Sequence, residues 1–557
     1  MSERTHPPTV VVHRHAVTPD EVRRWTVRRT DVVLESPATT GPDGTTTFGL
    51  ERGPVHDWER TVQIAPGEVG PDGADRVELT ETVRFRLAVP VWGPLFRLAL
   101  RRHLRRPPAD GTAPPWWAPS AVLDARAATV LSLLCVVGAM AGYLGTLLTQ
   151  TLTYAAEQFD AGTGAQGTLL AAVRVGVLVS LVVASLADRR GRRTVLVGAT
   201  VGACAFTALG ALAPGMVFLG GAQTLARSMS TVMALVIAIM AVEEMPARAR
   251  AFAVSVLAMT AGLGAGLCVV NLVYVDLAEG AWRIAYVVPL LFVWPVLVIG
   301  RLLPETQRFA RRRMLLASGS PVAPPDGVVV GEPAPRTAEG GPGGFEWGRF
   351  ALLASSGFLW SLFLAPAAQF LNEFLRTERG FSGALIAVFV LVTNTPAGIG
   401  IVAGGKLADR RGRRVVGTVG IVGGVGFTVV AYLTWGWPLW LASIAAAVVG
   451  AVAVPALAVY GPELFPTGQR GAANGGLQVV SVAGSGVGLL AAGWLADVLG
   501  GLGPAIAVLS VGPAVLAVLV LLLYPETAGR ELEELNPVDR AAGDEERADG
   551  GGTLSGR

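Results

Sequence analysis

Two arginines interrupt long apolar runs of the sequence, where a charge is costly unless it has a partner or a task. Arg174 lies 14 residues before Asp188, and Arg227 lies 16 residues before Glu243. Neither apolar run contains an acid that could pair with its arginine. Because a guanidinium binds a carboxylate or phosphate through paired hydrogen bonds, the two residues predict a site for an anionic ligand. Alternatively, each arginine bonds to backbone carbonyl groups or reaches a more distant acid.

Polar side chains in other apolar runs could complete this site. The candidate ligand-binding residues are Gln150, Asn271, Gln369, Asn372, Glu373 and Asn394. Each could instead make an ordinary hydrogen bond between two helices, and Glu373 could also carry a proton or remain solvated.

The elements that must position these residues are twelve apolar segments. Of 557 residues, 52% are hydrophobic and only 16% are charged, whereas soluble domains have about 25% charged residues. Each segment is long enough to cross about 30 Å of hydrocarbon as a helix. The segments are 127–152, 164–186, 194–213, 216–242, 251–275, 282–303, 349–372, 382–405, 415–434, 437–460, 471–495 and 501–523.

The sequence repeats itself at a nearly constant offset. The octet LADRRGRR occurs at 186–193 and 407–414, and Pro-Glu-Thr occurs at 304–306 and 525–527, both 221 residues apart. Asp276 and Asp497 also differ by 221 positions. Several matches in one order predict two homologous halves of six helices each, arranged as parallel repeats with a binding site between them.

The octets carry a family resemblance. They resemble the loop signature G-x-L-A-D-R-x-G-R-R of the major facilitator superfamily, complete from Gly405 in the second copy, whereas Ala184 replaces the first glycine of the other copy. The strings YGPELFP (460–466) and PETAGRELEEL (525–535) are similar to the branch of sugar porters and related organic-anion and metabolite symporters. The resemblance implies an all-α membrane protein of two six-helix bundles that performs secondary active transport.

Charged residues at the helix ends near the octets predict a gate. We expect them to form ion pairs that bridge the halves when that side is closed, as the resemblance also implies; a topological signal alone is the alternative. The predicted gate residues are Asp188, Arg189, Gly191, Arg192, Glu243, Arg250, Glu305, Gly405, Asp409, Arg410, Gly412, Arg413, Glu463, Arg470 and Glu526.

Basic residues in short loops predict the orientation, because they remain on the cytoplasmic side. The octet loops are rich in arginine, whereas the loop 153–163 has no basic residue. We therefore expect both octets and both termini to be cytoplasmic in a multi-pass protein of the cell membrane. Arginine replaces lysine everywhere except at Lys406, which fits a GC-rich bacterial genome rather than a nucleic-acid partner.

Residues 1–118 are polar and predict a small cytoplasmic α+β domain. The segments 58–65 and 76–89 alternate like strands, and 95–106 is a basic amphipathic helix that could lie on anionic lipid or pack with its basic face in solvent. His13 and His15 could suggest a metal, but two ligands do not make a site, so no metal or cofactor is predicted. No arrangement of nucleophile and base is apparent, so no enzyme activity is predicted.

The resulting domain prediction has five parts. They are the domain 1–118, a six-helix half 119–303, a cytoplasmic linker 304–346, a second half 347–524 and a disordered tail 525–557. The expected function is proton- or ion-coupled transport of a small, anionic organic solute by a monomer. The alternatives are transport of a neutral sugar or a drug, or solute sensing through the N-terminal domain.

Overall fold

A computed structural model describes most of the chain. The described residues are 8–42, 44–66, 76–108, 114–115, 117–119, 121–185, 190–306, 346–458, 460, 465 and 470–526. Most of the predicted linker and the tail beyond residue 526 lie outside the described residues.

The N-terminal domain is built on antiparallel strands. Five strands form one sheet in the order β1-β7-β6-β4-β3, and β2 pairs with β5. The strands are β1 (Thr9–Val17), β2 (Leu34–Glu35), β3 (Thr39–Thr40), β4 (Thr46–Phe48), β5 (Leu50–Arg52), β6 (Val55–Pro66) and β7 (Val77–Leu87). The long β6 and β7 confirm the predicted strands at 58–65 and 76–89, and alternation along β7 buries Leu79, Val83 and Phe85.

Two helices complete this domain: α1 (Pro19–Trp25) and α2 (Gly93–His103). The helix α2 corresponds to the predicted amphipathic helix at 95–106. Leu100 on α2 and the following Leu104 are buried against the sheet, whereas Leu95 and Leu98 are exposed on another face of the helix. The helix therefore packs as a core element, and contact of its outer face with lipid stays a prediction.

Hydrogen bonds, in addition to the chain connection, attach the N-terminal domain to the membrane bundle. The indole Nε1 of Trp92 donates to the carbonyl oxygen of Ser132 at 3.1 Å, and the hydroxyl of Thr129 donates to the carbonyl oxygen of Ala88 at 3.0 Å. The hydroxyl of Ser132 donates to the carbonyl oxygen of Pro90. The segment 88–92 thus lies along the first membrane helix.

The membrane part of the described chain contains twelve helical units, here numbered in chain order. The first six are Ala125–Gln158, Thr163–Ser185, Arg192–Gly210, Met216–Glu244, Arg250–Val270 and Trp282–Leu302. The other six are Trp347–Gln369, Gly383–Asn394 continued by Ala397–Arg411, Arg413–Leu433, Gly436–Ala458, Arg470–Leu499, and Leu502–Leu509 continued by Val511–Leu523. Eleven candidate spans lie among the described residues by length and hydropathy, and the second unit adds a helix of 23 residues.

Proline interrupts two of the predicted segments. The eighth helix breaks after Asn394, just before Pro396, because proline lacks an N–H group and disfavours helical geometry in the residue before it. The sixth helix contains a 3-10 turn, Val288–Phe292, around Pro289. The sequence predicted each of these segments as one continuous span.

The halves repeat their internal packing. In the first half the fifth helix lies on the first, and in the second half the eleventh lies on the seventh. A Cβ at Gly264 would come within 1.7 Å of the carbonyl oxygen of Ala139, and one at Gly488 within 2.2 Å of that of Leu362. Glycine is therefore required at both crossings. Between the halves, the second helix packs against the eleventh and the fifth against the eighth.

Candidate functional site

A cavity lies between the halves in the middle of the bundle. It is lined by residues of the first, second, fourth and seventh membrane helices: Leu144, Gly145, Leu148, Thr149, Leu170, Val173, Arg174, Gln223, Arg227 and Gln369. The structure thus brings together both predicted arginines and Gln369. Its volume is about 30 Å³, room for about one or two waters, so an organic ligand would require the walls to move apart.

The two arginines enter this cavity from neighbouring helices. Arg227 of the fourth helix donates from Nη1 to the carbonyl oxygen of Gly145 at 2.5 Å. This is the backbone contact predicted from the sequence as the alternative to an anionic ligand. Arg174 of the second helix has no hydrogen bond or ion pair to any other described residue, and it is close enough to Arg227 for the two charges to repel. The described part of the cavity wall therefore presents two positive charges and no acid.

Hydrogen bonds between the halves cover the cavity on one side, which we call the distal side because it is opposite to the octets. Thr149 donates through Oγ1 to Oε1 of Gln369 at 2.5 Å. Asn372 donates through Nδ2 to Oε1 of Gln150 at 2.9 Å and to the carbonyl oxygen of Gln150 at 3.1 Å. Three predicted site residues, Gln150, Gln369 and Asn372, thus join the first helix to the end of the seventh, together with Thr149.

Glu373 is a buried acid at this junction. Its side chain is 8% exposed, and the side chains of Thr153 from the first helix and Gln166 from the second face its carboxylate. The oxygen Oε2 is buried without a hydrogen-bond partner in the described part of the chain. A carboxylate placed there can accept or lose a proton when the halves separate.

Farther out on the distal side, an ionic cluster joins the halves. Arg376, which follows the seventh helix, contacts Glu157 at 2.5 Å and Asp276 at 2.7 Å, and both acids belong to the first half. The other oxygen of Asp276 accepts from the backbone N–H of Gly383 at 2.5 Å, at the start of the eighth helix. Because these acids are 219 and 100 residues away from Arg376 in the chain, the sequence did not indicate that Arg376 joins them.

The octet side shows the same local structure twice. Gly191 has φ 96° and ψ 143°, and Gly412 has φ 92° and ψ 145°, a conformation that favours glycine. Glu305 accepts from the backbone N–H groups of Arg192 and Arg193 at 2.9 and 3.3 Å. Each half thus folds its Pro-Glu-Thr segment back onto its octet.

The second half repeats this cap with Glu526, which accepts from the N–H groups of Arg413 and Arg414 at 2.9 and 3.3 Å. A carboxylate at a helix N-terminus satisfies free N–H groups and interacts favourably with the helix dipole. Pro-Glu-Thr and octet are therefore two parts of one motif, separated by more than 110 residues of chain in each half.

Comparisons with known proteins match this architecture. The family model described as Major Facilitator Superfamily matches residues 349–542. The inward-open xylose transporter XylE from E. coli is 16% identical, with 74% of this chain and 99% of that chain covered and a TM-score of 0.58. A bacterial homologue of the human lysosomal transporter Spinster, inward-facing and unoccupied, is 15% identical, with coverage of 71% and 96% and a TM-score of 0.55.

The nucleoside transporter NupG, solved as a point mutant, is 13% identical, with coverage of 71% and 100% and a TM-score of 0.55. A comparison with curated protein sequences finds no significant match. The membrane part of the chain thus has the fold of these solved transporters, with an added N-terminal β domain, and residues 349–542 match the model of the Major Facilitator Superfamily (MFS). The predicted fold class is confirmed, and the predicted family is matched over residues 349–542.

Five predicted site residues do not line the cavity: Gln150, Asn372 and Glu373 lie at the distal junction, and Asn271 and Asn394 lie elsewhere. Asn271 donates from Nδ2 to the hydroxyl of Tyr143 at 2.5 Å, a contact between the fifth and first helices. Asn394 is exposed and donates to the carbonyl oxygen of Val390 in its own helix. In contrast, Thr149 and Gln223 line the cavity although sequence reasoning missed them. Their only sequence signal is a polar side chain in an apolar run.

Three of the predicted gate residues make contacts within the first half. Arg192 pairs with Glu243 at 2.9 Å, and Arg250 donates to the carbonyl oxygen of Met245 at 3.4 Å. Asp188, Arg189 and Glu463 lie outside the described residues. The same holds for the side chains of Gly405, Asp409, Arg410 and Arg470, although their backbone is helical. The predicted pairing between halves therefore stays a hypothesis for another conformation.

Proposed function

We propose that this protein is a secondary active transporter of the Major Facilitator Superfamily (MFS) and that it carries a small anionic organic solute. The observation that carries the proposal is the pair Arg174 and Arg227, which line one cavity between the halves without an acid in its described wall. Buried charges inside a membrane are expensive and are kept for a task. A carboxylate or phosphate would neutralise both guanidinium groups and accept their paired N–H donors.

Alternating access follows from the placement of the contacts between halves. The described hydrogen bonds and ion pairs that join the halves lie on the distal side, at Thr149–Gln369, Gln150–Asn372 and around Arg376. With the arginine-rich octets on the cytoplasmic side, both termini are cytoplasmic and the distal side is external. This conformation is then closed to the outside of a bacterial cell.

The opposite conformation requires closure on the octet side. We assign that closure to the gate residues, with Asp188 and Asp409 pairing across the halves when the distal contacts open. Replacing Asp409 by asparagine would then reduce transport strongly and leave membrane insertion unchanged. Wild-type transport by both Asp188→Asn and Asp409→Asn would disprove this assignment.

Proton coupling is assigned to Glu373. Its carboxylate is buried where the halves meet on the distal side, so opening this side would expose it to water and change its protonation. Glu373→Gln should keep solute exchange but lose accumulation driven by a pH gradient. If the variant still accumulates solute, the coupling ion or its carrier is a different one.

A thermal-shift screen of the purified protein tests the substrate class. The ligands would be sugars, aliphatic and aromatic carboxylates, phosphates, amines and drugs, since a bound ligand stabilises the folded state by mass action. The screen would be repeated with Arg227→Ala and Arg174→Ala. Arg301→Ala is the control, because Arg301 is exposed at the octet end of the sixth helix.

Stabilisation by carboxylates or phosphates that both cavity variants lose and the control retains is expected. The hits would then be tested for flux in proteoliposomes. Stabilisation by neutral sugars or by amines that survives both arginine replacements would reject the anionic substrate. In that case the amide groups of Gln150, Gln369 and Asn372 would become the candidate binding groups.

A further inference from the structure

The N-terminal domain contains a cluster of metal-ligating side chains that lies outside the cavity of the membrane bundle. His13 and His15 are two residues apart on β1 and so point to the same face of the sheet. Glu81 on β7 is the register partner of His13. One ligating atom from each of the three side chains lies within 4.8 Å of the others, and His13 Nδ1 is 3.7 Å from Glu81 Oε2.

The three side chains leave buried polar atoms without partners. His13 Nδ1, His15 Nε2 and Glu81 Oε2 are buried and make no hydrogen bond to any described residue. Unpaired buried polar atoms are costly, and here three of them lie on one small patch. A single cation among them would satisfy all three.

Neighbouring side chains hold His15 and Glu81 in place. Arg60 donates to Oε1 of Glu81 at 3.4 Å, which leaves Oε2 for another partner. The ring of His15 stacks on Trp25 with centroids 4.1 Å apart, which fixes its orientation. Burial lowers the pKa of both His13 and His15.

The charge of the domain interior suits a cation. The buried charged residues described in this domain are Arg29, Asp31, Glu35, Arg60 and Glu81. Two are cationic and three anionic, so with neutral histidines they sum to one negative charge. This excess makes binding of a divalent cation favourable despite the nearby arginines.

We propose that His13, His15 and Glu81 bind one divalent transition-metal ion of the zinc class. Two imidazoles and one carboxylate form a ligand set typical of zinc sites that keep an open coordination position. A tetrahedral ion with bonds of about 2.1 Å would hold its ligands about 3.4 Å apart, so the three side chains need to close in by roughly an ångström. The open position would take water or an anionic ligand.

Metal binding to the purified full-length protein tests this proposal. The protein would carry a tag without histidine, be stripped with a chelator, and be equilibrated with Zn²⁺ in competition with a chromogenic chelator. Bound metal would be counted by mass spectrometry. The variants are His15→Asn and Glu81→Gln, and His56→Asn is the matched control because His56 is an exposed histidine of the same domain.

We expect one Zn²⁺ per chain, an affinity at least tenfold lower in His15→Asn, and wild-type binding in His56→Asn. Co²⁺ in place of Zn²⁺ should give a visible absorption band that His15→Asn loses. If Glu81→Gln fails to fold because Arg60 loses its partner, His15→Asn still decides the question. The absence of tight Zn²⁺ binding to the wild type, or equal binding by wild type and His15→Asn, would overturn the proposal.

Discussion

The two halves of the membrane bundle are alike at the octets and unlike at the cavity. At the octets, Gly191 and Gly412 share one backbone conformation, and Glu305 and Glu526 cap the helices that follow at the same distances. At the cavity, both arginines come from the first half. The offset of 221 at the octets places Thr395 opposite Arg174. The offset of 220 between Glu243 and Glu463 places Ala447 opposite Arg227, so no positive charge is duplicated.

This difference separates two roles of the repeat. A motif kept in both halves serves the shared task of folding each bundle and terminating its helices. Both bundles need it, because each has a tight turn at its octet and free N–H groups at the start of the helix that follows. A feature kept in one half fits an asymmetric task, which under the proposed function is the binding of one solute. The distal side has both repeated and unrepeated features. Asp276 contacts the start of the eighth helix, and its repeat counterpart Asp497 lies beside Gly164 in the second helix.

The largest expected effect is on stability and comes from the octet glycines. A Cβ at Gly412 would lie 2.6 Å from Oε2 of Glu526, and φ is 92° there. Gly412→Ala should therefore destabilise the protein by about 1–3 kcal/mol through strain, with a further loss from the displaced cap. Thermal unfolding in detergent would measure it.

Gly436→Ala is the control for that variant. Gly436 also has a positive φ, 57°, but a Cβ there would meet nothing within 4 Å. Gly191→Ala should resemble Gly412→Ala, since the backbone conformations match. Equal losses for Gly412→Ala and Gly436→Ala would show that the contact with Glu526 contributes nothing.

The next largest effect concerns closure of the distal side. Arg376→Gln removes two ion pairs between the halves, both partly exposed and worth about 1 kcal/mol each at most. The distal side should then open about tenfold more often. A cysteine at position 369 would report this as faster labelling by a membrane-impermeant thiol reagent added on the external side.

Arg283→Gln is the matched control, because Arg283 donates to the carbonyl oxygen of Ala211 within the first half. Its labelling rate should remain that of the parent protein. If Arg376→Gln labels no faster than this control, the ionic cluster does not hold the halves together.

A smaller, symmetric effect is expected from the two capping glutamates. Glu305→Gln and Glu526→Gln keep an acceptor but lose the charge that interacts with the helix N-terminus, which costs about 1 kcal/mol. Because the cap distances are the same in both halves, the two losses in thermal stability should be equal within error. A clear inequality would contradict the equivalence of the two caps.

The sequence predicted the fold far better than the contacts. Repeated strings, apolar segments and alternating strands are local signals, so the twelve helices, the two halves and strands β6 and β7 could be predicted. The octet and Pro-Glu-Thr were each recognised, but nothing local shows that Glu305 caps the helix at Arg192. His13 and His15 were recognised as a pair, yet their third partner, Glu81, depends on the register between β1 and β7.

The depth of a residue along its membrane helix could be predicted from the sequence. The face of the helix on which the residue lies could be predicted only in part. Arg174, Arg227 and Gln369 reach the cavity, whereas Asn271 and Asn394 face elsewhere. A polar residue in an apolar run indicates a contact, and only the packing of neighbouring helices decides whether this contact is a ligand or another helix.

The smallest expected effect distinguishes two glutamines in the wall of the cavity. Gln223 belongs to the first half, and its Nε2 is buried without a partner among the described residues, so it is available to donate to a ligand. Gln369 belongs to the second half and already accepts from Thr149. Gln223→Leu should weaken solute binding two- to tenfold, the worth of about one neutral hydrogen bond, without opening the distal side. Gln369→Leu should instead loosen the junction between the halves and speed distal labelling of a cysteine placed at position 148, which lines the same cavity and leaves Thr149 in place. If both variants change affinity alike and neither changes labelling, the cavity does not divide ligand binding and closure between its two halves.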